Sequence, residues 1–173
     1  MNKENTPELF SVIAKNYDFL NHLLSFNLDR AWRRRLVSLS GFRPDDKILD
    51  VCTGTGDIAI EFARRGARDI TGIDLSSGML ARAQRKIEKL NLATRIKLEK
   101  GSALSLPYTD QTFDLVTMGF GLRNLPDYSR GISEMARVLK PSGRLLILEF
   151  SLPPAKLTYG FYSLYLKNYL PLA

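Results

Sequence analysis

The residues best suited to chemistry stand close together. Asp50 precedes Gly54-Thr55-Gly56 by four positions, Asp57 follows at once, and Asp74 comes twenty positions after Gly54. Gly54-Thr55-Gly56-Asp57-Ile58-Ala59 fits a G-x-G-x-x-[G/A] turn, which brings backbone amides close to a ligand at a strand-to-helix junction. An acid about twenty residues on is placed to take ribose hydroxyls. By that match alone a dinucleotide such as NAD remains open. So does a glycine turn that only packs a helix on a strand, with Asp57 as its cap.

Charge separates these readings. A helix N-terminus favours an anion, yet Asp57 puts a carboxylate there and Asp50 adds another at the strand tip. Both would repel a pyrophosphate. A cationic or zwitterionic ligand suits them better, and S-adenosylmethionine carries a sulfonium, an ammonium and a ribose. Asp74 has acceptors for both ribose hydroxyls.

The elements that must position these residues follow from periodicity. Strands are predicted over 47–52, 69–74, 95–100, 113–118 and 144–150. Helices over 57–65, 78–90 and 128–139 alternate with them, the last stopped by Pro141 and Ser142-Gly143. This is the βαβ pattern of a mostly parallel sheet with helices on both faces, an α/β fold. Ahead of it, Thr6 and Pro7 open a helix carrying Leu9, Ile13, Tyr17, Leu20 and Leu24, and a second helix starts near Asp29. The expected plan is one domain over 1–173. It has a helical cap at 1–43, a Rossmann-like core at 44–152 and an aromatic helix at 153–173 bearing Tyr159, Tyr162, Tyr165 and Tyr169.

Composition sets outer bounds. The chain has 173 residues, with 25 Lys+Arg against 18 Asp+Glu and a net charge of +7. Its one cysteine, Cys52, and one histidine, His22, exclude an internal disulfide and the four-ligand zinc motifs, so no metal is expected. The polar start is unlike a secretory leader, and no uncharged run reaches the roughly 18–20 residues of a membrane span. The cytoplasm is the expected compartment. The excess charge does not imply nucleic acid, since no binding module accompanies it.

Three further segments carry a resemblance. They are Tyr17-Asp18-Phe19-Leu20-Asn21-His22 with Asp29-Arg30-Ala31-Trp32-Arg33, then Phe120-Gly121-Leu122-Arg123-Asn124, and then Arg137-Val138-Leu139-Lys140-Pro141-Ser142-Gly143-Arg144 running into Leu148-Glu149-Phe150-Ser151-Leu152-Pro153. Together with the glycine loop they resemble the C-methyltransferases of ubiquinone and menaquinone biosynthesis, a class I S-adenosylmethionine-dependent family. The resemblance implies C-methylation of a polyprenyl quinol, with S-adenosylhomocysteine as the other product. It implies a cofactor site of Asp50, Thr53, Gly54, Thr55, Gly56, Asp74, Leu75, Ser102, Ala103 and Gly119. Arg123, Asp18 and Tyr17 are the implied catalytic residues, with Asn21, Phe120 and Asn124 around the substrate. Arg123 is read as the cation that stabilises a phenolate, with an ion pair to Asp127 or Asp18 as its structural alternative. Ser102 departs from the family's acid or amide at the adenine, Asn27 from a glycine, Ser142 from the first glycine of Pro-Gly-Gly, and Gly119 from a serine.

A class I methyltransferase for another small molecule and a non-catalytic S-adenosylmethionine-binding or assembly subunit share the glycine loop. The family's sheet has seven strands and ends in a hairpin, so the five strands here are expected to lack that closing hairpin. An open sheet edge would favour self-association. Arg30, Trp32, Arg33 and Arg34 are the expected contacts to a membrane surface that holds the lipid substrate.

Overall fold

Apolar residues on both faces of short strands call for a sheet covered on both sides. The computed structural model of the protein describes residues 28–149 and contains that sheet. Its strands are β1 (Lys47–Val51), β2 (Asp69–Asp74), β3 (Ile96–Lys100), β4 (Phe113–Gly119) and β5 (Leu139–Leu148). They lie in the order β3-β2-β1-β4-β5, and every neighbouring pair is parallel. The helices are α1 (Leu28–Ser40), α2 (Asp57–Arg64), α3 (Ser77–Lys89) and α4 (Tyr128–Val138). The chain builds outward from β1 to β3 and then returns to the far side of β1 with β4. That reversal opens a crevice at the carboxyl ends of the strands, where such sheets bind ligands.

Alternation along each strand divides the core. Ile48, Ile70 and Leu115 join Val37, Ile58, Phe62, Ala83 and Ile87 under α1, α2 and α3. Leu49, Val51, Val116 and Met118 point the other way, onto Leu125, Met135 and Val138. Phe62 is fully buried and meets the ring of Phe42 edge-on, with centroids 5.2 Å apart. Caps fix where two helices begin. The Ser76 hydroxyl accepts the Met79 N–H at 3.3 Å ahead of α3. The Asp127 carboxylate accepts the Arg130 N–H at 2.9 Å ahead of α4.

One boundary differs from the sequence expectation by more than two residues. Pairing of β5 starts at Leu139 rather than at Arg144. Phe113 pairs with Leu139, then the register breaks, and Leu115 pairs with Arg144. The helix-stopping Pro141-Ser142-Gly143 is therefore a bulge within the strand, held at its start by Lys140 Nζ on Asp114 at 2.7 Å. Among the described residues nothing pairs with the outer edge of β5. An apolar cavity of about 240 Å³ lies there between Trp32, Leu36 and Leu39 of α1 and Leu146, Ile147 and Leu148 of β5. The first predicted helix and the aromatic tail lie outside the described residues. No helix among the described residues is long and apolar enough to cross a membrane.

Phe62 is the largest side chain fully enclosed between the sheet and the α1–α3 layer. Phe62→Ala should destabilise the fold by about 3–5 kcal/mol, measured by urea unfolding. A loss below about 1 kcal/mol would show that this layer does not depend on it.

Candidate cofactor and active site

The glycine loop is shaped by its backbone. Cys52 leaves β1 with φ +55°, and Gly54 and Gly56 follow at +57° and +82°. The Thr53 N–H donates to the Ile73 carbonyl at 3.0 Å, and the Gly56 N–H donates to the Thr53 carbonyl at 2.9 Å. A Cβ on Gly56 would stand 3.2 Å from Ala83 Cβ, so glycine serves both the turn and the approach of α2 to α3. A second left-handed residue, Phe120 at φ +57°, ends β4 opposite Cys52. Gly121 lets the two turns meet, because a Cβ there would fall 2.8 Å from Cys52 Cβ. Strained backbone of this kind gathers at functional sites.

The acids divide into three roles. Asp50 is buried beneath the loop and accepts the Thr53 hydroxyl at 2.6 Å and the Thr117 hydroxyl at 2.9 Å. Burial pushes its carboxyl up to about 6, against the pull of those hydroxyls. It braces the loop from below and supplies negative field to the crevice. Asp74 accepts the Gly54 N–H and the Ser76 N–H, each at 2.8 Å. The twenty-residue spacing is thus one hydrogen bond that ties the loop to the end of β2. The Leu75 N–H acts on the same carboxylate, and the acceptor capacity that remains suits a ribose hydroxyl.

Asp57 behaves differently from the sequence expectation. Gly56, not Asp57, occupies the cap position of α2. The Asp57 carboxylate pairs with Lys86 of α3, and with Arg33 of α1 at 3.6 Å. Lys86 Nζ also reaches the Thr55 hydroxyl at 3.1 Å. Two cations therefore offset the charge at this helix end, and the preference for a cationic ligand rests on Asp50 and Asp74. Lys86 and Arg33 carried no sequence signal as loop residues.

The remaining cofactor residues line the same rim. Leu75 is 46% exposed beside Asp74 and can cover a flat apolar ring. The Gly101 N–H binds the Asp74 carbonyl at 3.0 Å, which draws the β3 turn in. The Ser102 hydroxyl accepts the Leu104 N–H at 3.1 Å, leaving its O–H and one lone pair. Ala103 is buried next to it, and Gly119 ends β4 against Ile58 of α2. Carboxylate acceptors, apolar cover and net negative charge on one rim fit S-adenosylmethionine.

A second cluster sits at the ends of β4 and β5. The Phe120 ring has the Arg33 guanidinium 5.4 Å away, that of Arg123 5.9 Å away and the Trp32 ring 6.3 Å away. Arg123 lies in a single 3-10 turn, Leu122–Asn124. Its Nη1 pairs with Glu149 Oε1 at 2.5 Å. Of the two alternative partners, Asp127 caps α4 and Asp18 lies outside the described residues. The Asn124 amide reaches the Phe120 carbonyl at 3.5 Å. Tyr17, Asp18 and Asn21 lie outside the described residues.

The basic run of α1 divides between two sides. Trp32 turns toward Phe120 and Arg33 reaches it too, while Arg30, Arg33 and Arg34 line a groove of about 560 Å³ whose other charged residues are Arg64, Lys86, Asp57 and Glu61.

Asp50 gives this site a measurable titration. Its folded value near 6 lies above the roughly 3.9 of an unfolded aspartate. The folded state therefore holds the proton more tightly. That stabilisation is present below about pH 4 and is lost as pH rises through about 6. Relative to Asp50→Asn, the native chain should lose about 2 kcal/mol between pH 4 and pH 7 in urea unfolding. Parallel curves would contradict a buried, titrating Asp50.

Comparison with known proteins places the chain. The ubiE/COQ5 methyltransferase family matches residues 1–173. A relative from Geobacter sulfurreducens, a ubiquinone/menaquinone biosynthesis C-methyltransferase, is 47% identical over 170 residues, which cover 97% of this chain and 66% of that protein. A demethylmenaquinone methyltransferase of Staphylococcus aureus is 43% identical over 173 residues, covering 99% and 70%. The chain thus spans about two thirds of the length of these relatives. Among solved structures, a putative S-adenosyl-L-methionine-dependent methyltransferase of Methanococcus maripaludis superposes with a TM-score of 0.72 at 23% identity, over 91% of this chain and 72% of that one. A putative methyltransferase from Bacillus halodurans gives 0.67 at 28% identity, over 78% and 57%. The chain belongs to the ubiE/COQ5 methyltransferase family, and its fold and crevice are those of a class I methyltransferase with S-adenosylmethionine as cofactor.

Proposed function

We propose that this chain methylates a ring carbon of a polyprenyl quinol. The observation that carries the reading is Arg123, held beside Phe120 at the carboxyl ends of β4 and β5, next to the glycine-loop crevice. The Geobacter and Staphylococcus relatives, a ubiquinone/menaquinone biosynthesis C-methyltransferase and a demethylmenaquinone methyltransferase, support it.

When bound, the cofactor supplies an electrophilic methyl group on a sulfonium. Asp74, Leu75, Ser102, Ala103, Gly119 and Gly54 would hold it, and Asp50, Thr53, Thr55 and Gly56 keep the loop in shape. The chain's other task is to make a carbon nucleophilic. Ionising a ring hydroxyl puts negative charge on the adjacent carbon, but free phenols ionise near pH 10. The Arg123 cation stabilises the developing phenolate and brings that ionisation within reach. Tyr17 and Asp18 accept or relay the proton. Asn21, Asn124 and Phe120 orient the ring, since correct placement of the reacting carbon is itself a large part of the rate.

The substrate's lipid tail places the enzyme at a membrane surface on the cytoplasmic side. With Trp32 turned toward Phe120, the groove cations Arg30, Arg34 and Arg64 are the ones that meet anionic headgroups.

Two measurements test this. Label from the methyl of S-adenosylmethionine should appear in a demethylated quinol. Arg123→Ala should lower that turnover about 100-fold while calorimetric cofactor affinity stays within twofold. Turnover within a few-fold of the native chain would remove Arg123 from the chemistry. In sedimentation with phosphatidylglycerol vesicles, Arg34→Gln/Arg64→Gln should weaken binding at least fivefold at low salt. Binding unaffected by salt or by the double substitution would place the membrane contact elsewhere.

A further inference from the structure

Glu149 follows the last residue of β5 and faces Arg123 across the end of the sheet. The Phe120 N–H donates to the Leu148 carbonyl at 2.7 Å, which fastens the two strand ends just before they part. Beyond that bond, Glu149 Oε1 takes Arg123 Nη1 at 2.5 Å, and Oε2 accepts the Arg123 backbone N–H at 3.2 Å. One carboxylate therefore grips the guanidinium and the main chain of the same residue. The two bonds close a ring through the arginine side chain and restrict its rotamers. The Arg123 side chain is 45% exposed, whereas that of Glu149 is 19% exposed. An arginine has many rotamers to sample, and these two bonds narrow them. On its other side stands the Phe120 ring, whose own backbone is held in the left-handed region.

Among the described residues, the other carboxylates discussed above have different commitments. Asp127 caps α4, and Asp57 pairs with Lys86 and Arg33. We propose that Glu149 is a positioning residue: it aims the Arg123 guanidinium at the quinol site, and its negative charge tempers that cation's field. The assignment rests on the reading of Arg123 as the phenolate-stabilising group. Aim and tempering act in opposite directions on the rate, and two substitutions separate them. Glu149→Ala removes both. Glu149→Gln keeps an acceptor oxygen and a similar shape but removes the charge.

The test is quinol methylation by the full chain, with cofactor affinity measured by calorimetry to establish that each variant is folded. Glu149→Ala should lower kcat at least tenfold, with KM for the quinol and affinity for the cofactor within twofold. Glu149→Gln should recover part of that loss. It should also move the rising limb of the kcat–pH profile to lower pH, because an untempered guanidinium favours the phenolate more. In an Arg123→Ala background, Glu149→Ala should cost nothing further, since a residue that acts only through Arg123 has nothing left to act on. Glu149→Ala within twofold of the native chain, or an equal loss with and without Arg123, would overturn the assignment while leaving the methyl-transfer reading intact. Absence of transfer by the unsubstituted chain would overturn that reading, and the role of Glu149 with it.

Discussion

The buried Asp50 carboxylate holds the crevice together. One of its oxygens takes the hydroxyl of Thr53 in the glycine loop, and the other takes the hydroxyl of Thr117 in β4. Asp50 itself lies in β1, and β1 and β4 are the two strands between which the chain reverses direction. A single group thus fixes the loop to both sides of the switch point. A carboxylate this deep is costly unless its lone pairs are met. The two threonines meet them, and the same bonds set the height of the loop above the sheet. Asp74 completes the frame from the neighbouring strand by holding the Gly54 N–H.

Around this frame the chain places side chains that no local rule would bring together. Lys86 and Arg33 come from α3 and α1 to the Asp57 carboxylate at the start of α2. They join three helices on one face of the sheet and offset a charge that would otherwise stand alone at a helix N-terminus. On the far side of the switch point, Phe120 gathers Trp32, Arg33 and Arg123. Arg33 belongs to both groups. It adds a charged link between the glycine-loop helix and the β4 end, beside the packing of Gly119 on Ile58.

Much of this was legible before the fold. Strands and helices after Phe42 could be placed because period-two and helical apolar patterns and glycine turns are local properties. The glycine loop and Asp74 were legible because their spacing reflects one hydrogen bond. The β5 bulge was not, because Pro141-Ser142-Gly143 reads as a helix stop whether or not a neighbouring strand is there to pair on either side of it. Glu149 was visible only as part of a segment. Its meaning depends on Arg123, 26 residues earlier, reaching the same end of the sheet.

The sequence by itself determined the α/β architecture, the nature of the loop and the family, because these rest on residue type and near spacing. Only the tertiary structure decided which charges meet. It put Asp50 beneath the loop rather than on its surface, offset the charge of Asp57, gave Arg123 to Glu149 instead of Asp127, and set Trp32 beside Phe120. Each outcome depends on how helices pack across a twisted sheet, and that geometry is set by the whole core rather than by any one segment.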